Sequence, residues 1–173
     1  MTLLLTDTEL VAKLRTLIDI DLTAARLLDC AAVKVEQGWT AGANARDGLG
    51  EPVQPHDPNA RCWCAHGAIN AAAHRIGVTC HDEAGQLLFA EEESGIVLDR
   101  ARLAVRLAIE RPAASMLAMS GLSLAKWNDK PTRTAGAVAA KLRAGAAKLR
   151  LTIERAQRRI AEIEAASCGG GLV

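Results

Sequence analysis

Between Val138 and Ile163 the chain places Val138, Leu142, Leu149, Ile153, Ala156, Ile160 and Ile163 within about 80° of arc at 100° per residue. A stripe that keeps its bearing for so long specifies one continuous helix, predicted over residues 132–166 with Thr132 or Thr134 at its start. Such a helix, on the order of 50 Å long, exceeds what the rest of a small domain readily covers. Lys141, Lys148, Arg155 and Arg159 line one flank of the stripe, Arg143 and Arg150 the other, as at the e and g positions of a helix–helix seam. Isoleucines in a row need a cover. The expected cover is the same helix of a second copy, in an antiparallel homodimer that brings Glu162 and Glu164 near Lys141 and Arg143. Docking on the chain's own N-terminal helices is the alternative.

The remaining elements read as helix too. Thr6 and Glu9 have capping-box spacing, and Leu10, Val11, Leu14, Leu17 and Ile18 follow at helical period. Asp21 is a plausible cap for a second helix carrying Leu22, Ala25, Leu28, Ala32 and Val35, and Gly38 stands where a left-handed C-terminal residue is expected. A third helix is marked by Ala65, Ala68, Ile69, Ala72, Ala73 and Ile76, and Gly77 ends it. Further helix is expected over Asp82–Glu92 and Leu98–Glu110, with a short buried helix and turn in Ala113–Ala125. Alanine is roughly a fifth of the residues, whereas the aromatics are three tryptophans and one phenylalanine. Small residues favour close helix packing and disfavour a β-sandwich or barrel. The 173 residues are therefore read as mainly α, a single-domain bundle of five to seven helices over residues 1–167. Residues 39–59 form an insertion, with Asp47-Gly48 turning a small β-hairpin or an ordered loop near residues 39–53, and 168–173 form a flexible tail.

The first residues lack the basic region and apolar run of a signal peptide. The longest uncharged stretch, Pro112 to Ala125, falls short of the ~18–20 residues a membrane helix needs. Five cysteines, an odd number, include Cys62 and Cys64 too close for an unstrained bridge, so a reduced, cytoplasmic setting is expected. With 21 basic and 20 acidic residues, overall charge selects no partner. The basic last helix lacks interleaved aromatics, so neither nucleic acid nor membrane is an expected partner.

All four histidines and three cysteines fall between His56 and His81. Zinc is the sharp reading, with Cys62, His66, Cys80 and His81 as candidate ligands. On a helix, Cys62, His66, Asn70 and His74 step along one polar face, but Cys62 and His74 lie ~18 Å apart, so one ion takes at most two of them. Solvent-facing histidines and buried inert thiols are the plainer reading, and no cofactor is expected. Cys64 is the candidate nucleophile, in the first turn of a helix whose dipole favours a thiolate. Asn128 and Asp129 are the candidate orienting groups, and His66, His74 or His81 the candidate base. No phosphate-binding glycine loop, Ser-His-Asp order or His-Glu-x-x-His motif is present.

Three segments form a pattern: Trp39-Thr40-Ala41-Gly42-Ala43, Cys62-Trp63-Cys64-Ala65-His66-Gly67-Ala68 and Trp127-Asn128-Asp129. Their order resembles a family of small uncharacterised bacterial and phage proteins carried as a domain of unknown function. The resemblance covers roughly Leu22 to Arg150, and its matching positions are Trp39, Gly42, Cys64, Gly67, Ala68, Trp127, Asn128 and Asp129. It implies no activity, cofactor or catalytic residue. By their chemistry, Trp39 and Trp127 suit core anchors, and Gly67 and Ala68 suit close helix contact. The reading reached is a non-enzymatic interaction or regulatory module with an unknown protein partner. The alternative is a cysteine-dependent or zinc-bound enzyme centred on Cys64 with Asn128 and Asp129.

Overall fold

The computed structural model describes residues 6–77, 80–81, 87–88, 91–109 and 124–169. Two long helices, α1 (Asp7–Gln37) and α5 (Ala135–Gly169), run antiparallel along one another. Between them in sequence come β1 (Ala45–Arg46), β2 (Pro52–Val53), β3 (Cys62–Trp63), α2 (Ala65–Arg75), β4 (Cys80–His81), β5 (Leu87–Leu88), α3 (Glu91–Ile109) and α4 (Leu124–Asn128). The fold is mainly α, as the composition implies. No described helix is long and apolar enough to cross a membrane.

Thr6 caps α1 through the expected capping box with Glu9. The helix does not break at Asp21, so the two expected N-terminal helices are one. Asp21 is no cap: it is 2% exposed, and its two oxygens accept from Arg100 Nε and Nη2, each at 2.7 Å. A bidentate guanidinium from α3 makes burial of that carboxylate tolerable in mid-helix. Gly38 ends α1 in extended backbone, φ −174°, not left-handed. Its lack of a side chain serves proximity instead, because a Cβ there would lie 2.2 Å from the Arg61 carbonyl oxygen.

The stripe of α5 is covered from within the chain. Val138, Leu142 and Leu149 enter the main core, while Ile160 and Ile163 pack with Val11 of α1. Three ion pairs follow the seam, Glu36–Arg143, Asp29–Arg150 and Arg15–Glu164, separated by 7 and 14 residues on both helices. Heptad spacing is what two long antiparallel helices require to keep one face together. Arg143 and Arg150 thus flank a seam, but the seam is internal. Within the chain, Glu164 meets Arg15 and Glu162 meets Arg159. Covering the isoleucines does not require a second copy.

The core gathers Leu27, Leu28, Ile69, Leu98, Val105 and Leu142 among many buried alanines. Gly145 sits at a close crossing, where an added Cβ would meet Leu28 and Val105 at 3.1 Å. Alanine and glycine let α1, α3 and α5 approach closely enough to exclude water without aromatic bulk.

Strands β2, β1 and β3 form a small antiparallel sheet in that order, with Ala45 opposite both Val53 and Trp63. The expected hairpin exists, but its turn differs. The loop spans residues 47–51, and the positive φ falls on Gly50 rather than Gly48. Asp47 organises it, its carboxylate accepting from the Leu49 and Glu51 amides at 2.9 Å. The expected Asp82–Glu92 helix is not formed throughout, since Leu87–Leu88 pairs antiparallel with Cys80–His81 as β5 against β4. Residues 82–86 lie outside the described residues, as do 110–123, which held most of the expected Ala113–Ala125 helix, and 170–173 of the expected tail.

Candidate functional site

The three motif segments converge on the N-terminus of α2. Leaving α1, the chain pairs with β3: the Trp63 amide donates to the Gly38 carbonyl at 2.9 Å, and the Thr40 amide to the Trp63 carbonyl at 3.2 Å. The Cys64 amide then donates to the Asn44 carbonyl at 3.1 Å. Cys64 is the N-cap of α2, and its Sγ accepts from the Gly67 amide at 3.3 Å. Gly67 is dictated by contact: a Cβ there would fall 1.8 Å from the Asn44 carbonyl oxygen. Cysteine, three residues before glycine, thus caps the helix while the glycine admits the backbone that leads into β1.

Asn128, at the end of α4, is fully buried and ties these pieces together. Its Oδ1 accepts from Trp39 Nε1 at 2.9 Å and from the Ala65 amide at 3.0 Å. Its Nδ2 donates to the Thr40 carbonyl at 3.1 Å and to Asp129 Oδ1 at 2.9 Å. Both donors and both acceptor sites of the amide are used. Asp129 Oδ1 also accepts from the Gly42 amide at 3.0 Å, where Gly42 takes a φ of 73°. Trp127, 3% exposed, fills the core beside this hub, with the Arg133 guanidinium 4.5 Å above its ring. Trp39, only partly buried, packs at the edge.

Cys64 does not have the character expected of a nucleophile. Its side chain is 4% exposed, and burial pushes the thiol above its ordinary pKa despite the lowering effect of the Gly67 and His66 amides. Desolvation therefore outweighs the helix N-terminus. The thiol donates towards Asn44 Oδ1 at 3.7 Å, and no hydrogen bond among the described residues joins it to a histidine ring. Asn128 and Asp129 do lie near Cys64, as a triad would require, but their polar atoms serve the hub. The cysteine-enzyme alternative is not supported.

The histidine-rich segment is divided. The rings of His56 and His74 stack, centroids 5.0 Å apart. His66 lies half-buried on α2, its pKa lowered by burial and then by the Arg102 charge. Cys62 Sγ reaches the Arg46 carbonyl at 3.8 Å. The side chains of Cys80 and His81 lie outside the described residues. Among the described residues, no three of His, Cys, Asp or Glu are gathered to hold a metal ion.

Several participants escaped sequence reasoning. Trp63 is 7% exposed, and its Nε1 donates to the Pro55 carbonyl at 2.8 Å, which holds the Pro-rich connector to the core. The Asp21–Arg100 pair and Arg102 lacked any local signal. The central tryptophan of Cys-Trp-Cys was the one readable clue, since so few aromatics are available.

No curated protein and no solved structure matches the chain. A family model does, over residues 19–148. The matched span holds the whole Asn128 hub and ends before the part of α5 that meets Val11. The chain belongs to the family of unknown function DUF6197.

Proposed function

We propose that the chain is a non-enzymatic interaction module, accessory or regulatory in role, that works through its surface. The observation that carries this reading is the use of the motif's polar groups inside the molecule. Asn128 has no remaining hydrogen-bonding capacity, and the Cys64 thiol is a buried helix cap. A reacting centre needs groups free to meet a substrate. Apolar side chains, by contrast, are presented outward. Leu49 is 89% exposed at the tip of a loop held by Asp47 and by Arg46, whose Nη1 donates to the Gly50 carbonyl at 2.8 Å. Ile96, Leu103 and Leu107 repeat along α3 and are likewise exposed. A large apolar residue on a braced loop loses little conformational freedom on docking, which suits a protein-binding anchor. The free thiols Cys30, Cys62 and Cys64 fit a cytoplasmic setting.

The test is cross-linked capture from the native host with the unaltered chain, Leu49→Asp and Cys64→Ser. A partner retained by Cys64→Ser and lost by Leu49→Asp supports the reading. Capture unaffected by Leu49→Asp, or a turnover that disappears with Cys64→Ser, overturns it.

A further inference from the structure

Across the α2–α3 contact lies a polar cluster that the Asn128 hub does not use. Arg102 of α3 donates through Nη2 to Asn70 Oδ1 at 3.2 Å, and its Nη1 lies 3.5 Å from the Asp99 carboxylate. Its Nε is buried and makes no hydrogen bond among the described residues. His66 stands one turn before Asn70 on α2, so the two share a face. No hydrogen bond among the described residues reaches the His66 ring, which is close enough to Arg102 to feel its charge.

An arginine stays protonated under all ordinary conditions, so a buried Nε–H without an acceptor is an unmet demand. Asp99 answers it poorly, being 81% exposed and placed at Nη1 rather than Nε. A water molecule offers an acceptor but no charge. An oxyanion offers both, and a guanidinium edge with an imidazole on the face it packs against matches either a carboxylate or a phosphate group. We propose that Arg102 and His66 form a binding site for a small oxyanion group, with Asn70 holding the guanidinium in place. The site does not draw on the Ala65 and Gly67 amides of α2, which Asn128 and Cys64 already occupy.

The full chain with labelled histidines is titrated with inorganic phosphate and, separately, with acetate, against chloride at equal ionic strength. A saturable shift of the His66 ring resonances with either oxyanion is expected. Response to both assigns a general oxyanion site, and response to phosphate alone assigns a phosphate group. Arg102→Lys keeps the charge but removes the Nε–H, and weakens the midpoint by about tenfold or more. Should that variant fail to fold, the shift in the unaltered chain still decides. A His66 response no larger than with chloride, or a midpoint unchanged in folded Arg102→Lys, overturns the site and leaves Nε to water.

Discussion

The two ends of the α1–α5 pair are built differently. Where Ala24–Val35 faces Val138–Leu149, the seam lies within a layered core closed by α2, α3 and α4. That end is also fastened by polar contacts between distant segments, above all the four bonds of Asn128. Where Asp7–Ile18 faces Ile160–Ser167, only Val11, Ile160 and Ile163 are buried, with Leu10, Leu14 and Ile18 half-covered beside them. A cavity of about 420 Å³ opens there between the helices, lined by Val11, Ala12 and Ile163 under Arg15 and Glu164. The family match contains the first end up to residue 148 and excludes both helical segments of the second. Long helices can therefore be firm at one end and locally labile at the other, because stability follows the number of buried partners rather than helix length.

Trp127→Ala sets the largest expected effect. Truncating this buried aromatic costs ~3–5 kcal/mol in chemical denaturation, and an unchanged midpoint would mean the core end does not depend on its anchor. Asn128→Leu follows. Trp39 and Asp129 are near enough to the surface to meet water, but the Ala65 amide and the Thr40 carbonyl are left buried, at roughly 1–3 kcal/mol each. Urea titration of the variant checks this, with little loss expected if the four bonds are incidental. At the outer end, Ile160→Ala is expected to cost about 2 kcal/mol, the lower limit for such a truncation, because the open cavity already leaves part of its packing unmade. A loss as large as that of Trp127→Ala would erase the contrast between the ends.

Cysteine reactivity gives a further comparison within the core end. Thiolates react and thiols do not. Cys64 is buried with a raised pKa, whereas Cys62 and Cys30 are partly exposed. Iodoacetamide at mildly alkaline pH is therefore expected to label Cys62 and Cys30 well before Cys64, with peptide mapping as the readout. The same shift has a stability consequence. The folded thiol holds its proton more tightly than the unfolded one, so its contribution is complete below the ordinary value of 9.0 and is lost as pH rises above it. Cys64→Ala should flatten that alkaline decline, as measured by denaturation midpoints across the range.

What could be read from residues alone was whatever depends on local spacing. The Thr6–Glu9 capping box, the buried Ala65–Ala73 face and the α5 stripe with its charged flanks are all patterns within one element. What could not be read depends on a partner far away in sequence. Asp21 looks like a helix start until Arg100, 79 residues later, is seen to neutralise it. Gly38 reads as a left-handed helix end, and Gly67 as a helix contact, until the Arg61 and Asn44 carbonyls fill the space a side chain would need. Strands β3, β4 and β5 have two residues each, too few for any alternation to register. The candidate site divides in the same way. Cys64, Asn128 and Asp129 were visible as residues that belong together, but their roles as cap and staple required the backbone groups they satisfy. Arg102 gave no signal at all, since an arginine on a helix is ordinarily a solvated one.

The smallest expected effect concerns the ion pair that crosses the outer end. Arg15 Nη2 lies 2.9 Å from Glu164 Oε1, with both side chains more than half exposed. In water and physiological salt such a pair contributes little to global stability. Arg15→Gln should therefore leave the denaturation midpoint unchanged. Its influence should be local, because the pair bridges helices that share only a thin apolar seam there. Amide exchange of the first two turns of α1 should quicken relative to Leu27 and Leu28, whose amides report the core end. Raising the salt concentration should reproduce that quickening in the unaltered chain and add nothing to it in Arg15→Gln. Equal exchange at both ends of α1 before any substitution would instead show that the helix opens as one unit, and that the difference in burial between its ends carries no dynamic consequence.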